Sequence, residues 1–367
     1  MAETRRNAAD DHAGYLSGAG EIPQAWDRLG AHLAEHGMTL DNDPAPRQFA
    51  AGFGNLNYRL SVDGRDAVLR RPPLGPIPPG GNDMARESRI IKGLSQALSL
   101  IPKCLHFCDD TDVLGAPFFI MEYRAGIVIG GDMPDAIAAW RGAGGEMPGA
   151  HLGAVVMKTL ASLHAVDPAD VGLDTLGRPE GFLERTAKGW HHRAELAWEG
   201  ETPAALHDLL AWLDAEPVPD GGVAFLHNDF KLDNLILDPE TLDPVAMIDW
   251  DMGTRGDPLY DLAVVLSYWT EPGDPQAMVD MNQMPTTGYG FPTREQAAEI
   301  YAGAVDCDLS GFKYRRVLAI LRTACVFRQL YRRYTSGGTD DPRYPIFGGV
   351  ADGILEFGVE VARGRCF

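Results

Sequence analysis

The sequence predicts an α+β fold of two lobes, a strand-rich lobe followed by a mostly helical one. Short apolar runs separated by glycine or acidic turns fill residues 47–121, and apolar residues at helical spacing dominate from His151 onward. A series of strands followed by a series of helices is typical of α+β proteins. At 367 residues, the chain is also long enough for each lobe to bury a core.

The first lobe is predicted at residues 45–123, after an N-terminal extension over residues 1–44. The extension includes a capping helix at residues 22–36, with Trp26, Leu29 and Leu33 on one face. The lobe is expected to hold an antiparallel sheet of five strands and one main helix. Two strands flank a glycine turn within residues 49–60, the others lie at 65–71, 103–108 and 117–121, and the helix lies at 83–98.

The second lobe, residues 124–367, is predicted to be helical and to contain the catalytic loop and the acceptor site. Helices are expected at residues 151–166, 181–198, 294–305, 312–334 and 346–363. A further helix is expected to begin at Asp257, because aspartate is a favoured N-cap and Pro258 suits the first helical position.

Charge and cysteine usage exclude several classes of function. The formal net charge of −20 argues against nonspecific binding to nucleic acid or to an anionic membrane, and it is compatible with a cationic substrate. Five scattered cysteines predict reduced thiols and a cytoplasmic location. The N-terminus lacks the features of a signal peptide, and apolar runs are too short to span a bilayer, so neither secretion nor a membrane segment is expected.

A polar loop between two apolar strands carries the residues expected to do chemistry. His227, Asp229 and Asn234 lie in this loop, and Asp249 ends the next apolar strand. Phosphoryl transfer requires oxygen ligands for Mg²⁺ and a carboxylate that orients the attacking hydroxyl. Asn234 and Asp249 are therefore predicted to bind Mg²⁺, and Asp229 is predicted to act as the base. His227 is predicted to brace the loop, and Asp251 is left open between a second Mg²⁺ and the substrate.

The spacing His-x-Asp-x-x-x-x-Asn, followed by Ile-Asp-Trp at 248–250, resembles the aminoglycoside phosphotransferase family, small-molecule relatives of the eukaryotic protein kinases. The resemblance covers residues 45–335 and implies a protein-kinase-like fold with ATP and Mg²⁺ as cofactors. It implies transfer of the γ-phosphate to a hydroxyl of a small molecule, with Lys231 reaching the transferred phosphate. Asn228 stands where the family commonly has glycine, which is a departure at the turn before Asp229.

The same resemblance implies a nucleotide site in the first lobe. The residues assigned to it are Gly52, Gly54, Asn55, Arg70, Glu87, Glu122 and Tyr123. Arg70 is expected to grip the α- and β-phosphates and to pair with Glu87, and Arg71 is the competing choice. The glycine turn is expected to contact the nucleotide, and the last two residues form the hinge, whose backbone groups would meet the adenine ring.

The acceptor is predicted from the branch of the family that the chain resembles. Residues 69–73, 268–274, 290–294 and 331–334 resemble the N-terminal kinase domain of some acyl-CoA dehydrogenase family members, a branch that phosphorylates hydroxyacyl-CoA thioesters. Arg315, Arg322 and Arg333 return to nearly one helix face at about 100° per residue, as a basic stripe for an anionic acceptor or as a solvated side. The expected acceptor is a hydroxyacyl-CoA or another anionic metabolite. The alternatives are an aminoglycoside or other antibiotic, and a nucleotide-binding module without catalysis.

Overall fold

The computed structural model describes residues 14–16, 20–50, 54–75, 81–200 and 202–367. The packing of the Cα trace divides the chain into two compact units. The first unit comprises residues 1–128, 171–173 and 235–253, and the second unit comprises residues 129–170, 174–234 and 254–367.

Strands and α-helices alternate along the described residues, with most of the strands in the first half of the chain and most of the helices in the second half. The strands are β1 Leu40–Asp41, β2 Arg47–Gln48, β3 Leu56–Val62, β4 Arg65–Arg71, β5 Cys104–Cys108, β6 Phe118–Glu122, β7 Ala224–Leu226, β8 Leu235–Leu237, β9 Pro244–Met247 and β10 Thr254–Gly256. The helices are α1 Trp26–Glu35, α2 Met84–Leu94, α3 Thr111–Leu114, α4 Asp135–Ala138, α5 Pro148–His164, α6 Phe182–Ala197, α7 Ala204–Ala215, α8 Pro258–Ser267, α9 Gln276–Met281, α10 Arg294–Val305, α11 Phe312–Thr335 and α12 Phe347–Ala362.

An antiparallel sheet is the framework of the first unit. Its strand order is β1-β3-β4-β6-β5, and β2 also pairs with β3, so it has six strands where five were predicted. The additional strand is β1, a two-residue segment paired with the end of β3. Asp63 and Gly64 join β3 to β4 with φ of 53° and 71°, the geometry of a type I′ turn. This turn sets the register in which Asn57 lies opposite Arg70.

Two helices of the first unit agree with the apolar periodicity of the sequence. α1 buries Leu29 and Leu33 in the core of the sheet, on the predicted face. α2 begins after the N-cap Asp83, whose carboxylate accepts a hydrogen bond from the N–H of Arg86 at 3.0 Å. It ends earlier than predicted, at Leu94.

A hairpin from much later in the chain belongs to the first unit. β8 pairs with β9, and Leu237 exchanges two backbone hydrogen bonds with Ile127, at 2.8 and 2.9 Å. The N–H of Met247 also donates to the carbonyl of Leu100 at 2.8 Å. These contacts carry Asp249, which follows β9, into the first unit.

A long helix, α11, is the centre of the second unit. It packs against α6, α8 and α12. Residues 314–325 of α11 are all buried, as expected for a helix enclosed on every side. α10 has its predicted bounds and Asp257 is the N-cap of α8, whereas α7 was not predicted. Among the helices of the described residues, none combines the length and the apolarity that crossing a membrane requires.

Candidate active site

A buried arginine joins two carboxylates in the first unit. Arg70, on β4, donates from Nε to Glu87 at 3.0 Å and from Nη2 to Asp249 Oδ1 at 2.5 Å. Glu87 Oε1 lies 3.3 Å from the backbone N–H of Trp250, which donates to it. The predicted pair of Arg70 and Glu87 is formed, and it is tied to the segment that follows β9. Arg71, the competing choice, donates instead to a backbone carbonyl at the end of α3 at 2.6 Å.

This cluster holds more negative than positive charge. Arg70 and Glu87 are 7% and 1% exposed. Burial raises the pKa of Glu87 to about 7, with Asp249 adding to the rise and Arg70 opposing it. Burial alone would lower the pKa of Arg70, but Glu87 and Asp249 raise it above its usual range. Arg70 therefore stays charged, while Glu87 titrates near neutrality.

The two aspartates after β9 present oxygen atoms suited to a cation. Asp249 has a left-handed backbone, with φ of 66°, a conformation that a residue other than glycine keeps only when its surroundings hold it. Asp251 Oδ1 is buried and has no hydrogen-bond partner among the described residues. Burial and the charge of Asp249 raise the pKa of Asp251. A divalent cation would satisfy both carboxylates, so this donor set fits Mg²⁺.

The glycine turn is held by a residue that the sequence did not indicate. Gly52 lies outside the described residues. The carbonyl of Gly54 and Oδ1 of Asn55 both accept hydrogen bonds from Asn82 Nδ2, at 2.6 and 2.9 Å. Asn82 directly precedes the N-cap of α2, so these bonds tie the turn to the start of the helix that carries Glu87.

The predicted hinge is hydrogen-bonded within the first unit. The N–H of Glu122 donates to the carbonyl of Lys103 at 2.9 Å, and the N–H of Tyr123 reaches the carbonyl of Asp66 at 3.4 Å. The second bond is long, and therefore weak. An adenine ring that used the Tyr123 N–H would compete with that carbonyl, and the adenine contact at these two residues stays a prediction.

In the second unit, two side chains hold the carboxylate of Asp229. Its Oδ1 accepts from Tyr268 Oη at 2.6 Å and from Arg322 Nη2 at 3.3 Å. Arg322 also donates from Nη1 to Tyr268 Oη at 2.7 Å, which closes a ring of hydrogen bonds. The same guanidinium donates to the carbonyl of Asn228 at 2.7 Å and lies 6.0 Å from the ring of Trp190. Arg322 is only 4% exposed, so this arrangement is fixed.

The charge state and accessibility of Asp229 suit a proton acceptor. Burial would raise the pKa of Asp229, but Lys231 and Arg322 hold it below its ordinary value. Among the described residues, the side-chain hydrogen bonds to this carboxylate end on Oδ1, which leaves Oδ2 for a ligand. The side chain is 29% exposed. Asp229 is therefore ionised at neutral pH and accessible to a hydroxyl group.

The backbone of the catalytic loop is braced by a buried carboxylate. Asp261 is fully buried and accepts from the N–H groups of His227 and Asn228, at 2.7 and 2.8 Å. His164 Nε2 lies 3.1 Å from the same carboxylate. Asn228 has φ of 60°, which glycine adopts freely and asparagine tolerates better than most residues. The asparagine in place of glycine therefore keeps the turn before Asp229.

Lys231 and Asn234 lie in the same loop as Asp229. Lys231 Nζ pairs with Asp233 Oδ2 at 2.5 Å. Asn234 donates from Nδ2 to the carbonyl of Asp229 at 2.7 Å, which leaves its amide oxygen, the atom type that Mg²⁺ prefers. The predicted catalytic residues thus lie together in the second unit with one predicted metal ligand, whereas the other, Asp249, belongs to the first unit.

The three arginines predicted as a stripe on α11 do not share one environment. Arg315 is 2% exposed and donates to Asp257 at 2.6 Å, and Arg322 is bound to Asp229. Arg333 is exposed. Both interpretations, a basic stripe and a solvated side, were therefore wrong for the first two. Helical spacing identifies a shared face, but a buried cation needs a partner from elsewhere in the chain.

A family match spans most of the chain: residues 46–300 match the family model of the phosphotransferase enzyme family, APH. The chain belongs to this family. A solved structure, a candidate aminoglycoside phosphotransferase of Ralstonia eutropha JMP134, has a TM-score of 0.74 at 22% identity, covering 93% of this chain and 99% of that one. A thermostable mutant of APH(4)-Ia in a ternary complex with AMP-PNP and hygromycin B has a TM-score of 0.56 at 19% identity, covering 90% and 98%. At these identities, the structural likeness establishes the fold alone.

This APH chain also resembles one part of longer proteins. It is 26% identical over 339 residues to acyl-CoA dehydrogenase family member 11 of Pongo abelii, which covers 91% of this chain and 42% of that protein. The chain spans less than half the length of the curated relatives it matches. The predicted family, its acyl-CoA dehydrogenase branch and the kinase-like α+β fold are confirmed. The roles of individual residues stay predictions.

Proposed function

We propose that this APH-family chain is an ATP-dependent kinase that phosphorylates a hydroxyl group of a small molecule, with Mg²⁺ as cofactor. The observation that carries the proposal is the ionised carboxylate of Asp229, which is fixed through Oδ1 on a side chain that is 29% exposed. In this reaction, Oδ2 accepts the proton of the acceptor hydroxyl while the hydroxyl oxygen bonds to the γ-phosphorus. The bond from that phosphorus to the β–γ bridging oxygen breaks, and ADP leaves.

The proposed Mg²⁺ ligands are all oxygen donors. Asp249 and Asp251 carry carboxylates, and Asn234 carries an amide oxygen oriented by the bond from its Nδ2. The buried Oδ1 of Asp251, without a partner among the described residues, supports a cation beside the first two. When bound, the ion would neutralise charge on the nucleotide phosphates.

Two cations of the chain are proposed to contact phosphate. Arg70 is held by Glu87 and Asp249, so its guanidinium is ordered before any nucleotide binds, which suits contact with the α- and β-phosphates. Lys231 is held by Asp233 and lies in the same loop as the base, which suits contact with the transferred group. The remaining proposed nucleotide contacts are Gly52, Gly54, Asn55, Glu122 and Tyr123.

Arg322 and Tyr268 are proposed as positioning residues for the base. Both bind Oδ1 of Asp229, which orients the carboxylate and directs Oδ2 to the acceptor. Both also stabilise the ionised carboxylate, Arg322 by charge and Tyr268 by its hydrogen bond. Arg322 therefore acts on the base in this proposal, and it is not a separate cation offered to the acceptor.

The finer proposal for the acceptor is a hydroxyacyl-CoA or another anionic metabolite. It is supported by the likeness to acyl-CoA dehydrogenase family members. An aminoglycoside is the second candidate, because the net charge of −20 attracts cations. Since Arg315 and Arg322 are engaged by carboxylates, the arginines of α11 support neither candidate over the other.

The test is a transfer assay on the purified chain with ATP, Mg²⁺ and pooled hydroxylated metabolites, read as a mass gain of one phosphate. The expected result is phosphorylation of an acceptor by the wild-type chain and none by Asp229→Asn. ATP binding without a mass gain in any pool would favour the alternative of a nucleotide-binding module. Steady-state kinetics then rank the acceptors: efficient phosphorylation of kanamycin-type amines, with none of 4-hydroxyacyl-CoA, would reverse the order given above.

A further inference from the structure

Three histidines meet in the first unit, outside the residues assigned to phosphoryl transfer. His32 lies in α1 and His36 directly follows that helix, whereas His106 lies on β5, the edge strand of the sheet. His32 Nε2 and His106 Nε2 are 2.9 Å apart. One ring nitrogen from each of the three residues lies within 4.8 Å of one from each of the others. The cluster therefore joins a helix to a strand that is distant in sequence.

One hydrogen bond of these rings orients His36 as a ligand, and another joins His32 to His106. In neutral rings, the contact of 2.9 Å between two Nε2 atoms places a hydrogen on one of them and a lone pair on the other, so binding of both to an ion moves that hydrogen to Nδ1. His36 Nδ1 lies 2.8 Å from the carbonyl of His32, which can only accept, so this nitrogen carries the hydrogen of His36. The lone pair of His36 is then on Nε2. Metal-binding histidines are oriented in the same way, by donation from their second nitrogen to a carbonyl.

The surroundings give the cluster an open side. The ring of Phe118 lies 6.2 Å from the rings of His32 and of His106. His36 is exposed, so an ion can reach the cluster from solvent.

We propose that His32, His36 and His106 bind a first-row divalent transition metal, of which Zn²⁺ fits best, and that the ion fastens α1 to β5. Three imidazoles and a water complete the four-coordinate set that Zn²⁺ accepts. Zn–N bonds of about 2.0–2.1 Å in tetrahedral geometry separate ligand nitrogens by about 3.4 Å, a value that lies between 2.9 and 4.8 Å. Imidazole suits Zn²⁺, Cu²⁺ and Ni²⁺ and does not suit Mg²⁺, so this site is distinct from the proposed Mg²⁺ ligands.

The test is a zinc titration of the full chain after removal of metals with EDTA, in competition with a chromogenic chelator. The expected result is one Zn²⁺ per chain and a rise in Tm with Zn²⁺, because binding to the folded state alone stabilises it. His36→Gln removes an exposed ligand and should abolish the rise in Tm. It should weaken binding by at least about 10–100-fold, because the loss of a group that only orients a ligand already costs that much. His106→Gln should do the same. His207→Gln, at an exposed histidine of α7, is the matched control and should bind Zn²⁺ as the wild type does.

Two further measurements keep the outcome decisive. Co²⁺ should give the visible absorption of a tetrahedral site in the wild type and not in His36→Gln, which tests the site even if His106→Gln does not fold. Affinity for ATP with Mg²⁺ should be equal in the wild type and in His36→Gln, so failure of this proposal is separate from failure of the proposed kinase activity. Absence of stoichiometric Zn²⁺ binding, or equal affinity in the wild type and His36→Gln, would overturn the proposal.

Discussion

Asp249 in the first unit and Asp229 in the second are each bound by a buried arginine, yet their surroundings differ in charge. Arg70 binds Asp249 at 2.5 Å, and two further carboxylates lie in the same cluster. Arg322 binds Asp229 at 3.3 Å, and a lysine supplies a second positive charge there. Two carboxylates, Glu87 and Asp251, lie beside the first aspartate, whereas two cations act on the second, where Lys231 is itself paired with Asp233.

The charge of these neighbours decides what each region is suited to do. In the first unit, burial together with neighbouring carboxylates raises the pKa of Glu87 and of Asp251, so a divalent cation would be stabilised there. In the second unit, the cations outweigh burial and lower the pKa of Asp229, so an ionised base is stabilised. Aspartate is paired with an arginine in both units, yet its surroundings suit metal binding at Asp249 and proton transfer at Asp229.

The largest expected effect comes from removing the charge of Asp229. Asp229→Asn should lower kcat by about 10²–10⁴-fold, because an amide cannot accept the proton of the acceptor hydroxyl. Affinity for ATP with Mg²⁺, measured by calorimetry, should change little. Asp208→Asn, at a half-exposed carboxylate of α7, is the matched control and should keep wild-type turnover. Turnover of Asp229→Asn at the wild-type rate would remove this residue from the mechanism.

The next effect tests the carboxylates of the first unit. Asp249→Asn should abolish the part of the ATP affinity that depends on Mg²⁺, because it removes a charged ligand from the ion. Asp251→Asn, measured in parallel, shows whether the second carboxylate also binds metal. Calorimetry with and without Mg²⁺ is the measurement, and an unchanged Mg²⁺ dependence in Asp249→Asn would show that this residue is not a ligand.

Stability should depend on pH through the buried Glu87. Its pKa is raised from 4.5 to about 7 on folding, so its contribution is fully present below pH 4.5 and is lost as the pH rises through 7. Between about pH 5 and pH 8, the wild type should lose about 3 kcal/mol of unfolding free energy relative to Glu87→Gln, whose amide does not titrate. Urea unfolding without Mg²⁺ measures this difference. Parallel pH profiles of the two proteins would contradict the raised pKa.

A smaller effect tests the two side chains that donate hydrogen bonds to Asp229. Tyr268→Phe and Arg322→Gln each remove a donor that stabilises the ionised carboxylate, so the pKa of Asp229 should rise. The acidic limb of the kcat profile should therefore move to higher pH, by about one to two units for Tyr268→Phe, since a hydrogen bond to a charged group contributes about 1.5–3 kcal/mol. Arg315→Lys, at a buried arginine on the same helix, should lower stability and leave this limb in place. If the acidic limb stays in place in both Tyr268→Phe and Arg322→Gln, these two residues do not act on the base.

The smallest expected effect concerns the backbone before the base. Asn228→Gly should change the free energy of unfolding by less than about 1 kcal/mol, because glycine adopts the observed φ of 60° without strain. Asn228→Ala should cost about 1–2 kcal/mol more than the glycine variant, since alanine is strained in this conformation. Thermal or urea unfolding distinguishes them, and equal stability of the two variants would show that the left-handed turn is not held in solution.

Local features of the chain could be predicted because their causes lie close together in sequence. The spacing from Asp229 to Asn234 lies within one loop, and its amide-to-carbonyl bond spans the same few residues. The helix start at Asp257 depends on a capping side chain and the proline beside it. Apolar periodicity predicted that Leu29 and Leu33 lie in the core, because an α-helix repeats about every 3.6 residues.

Apart from the predicted pair of Arg70 and Glu87, the tertiary structure decided which distant side chains meet. Helical spacing grouped Arg322 with other arginines of α11, but it contained no information about Asp229, to which the buried guanidinium is bound. In the same way, nothing near His32 in the sequence indicated that His106 would approach it at 2.9 Å. The physical reason is that a buried charge or imidazole must find its partner in space, and chain topology, not residue spacing, brings that partner to it.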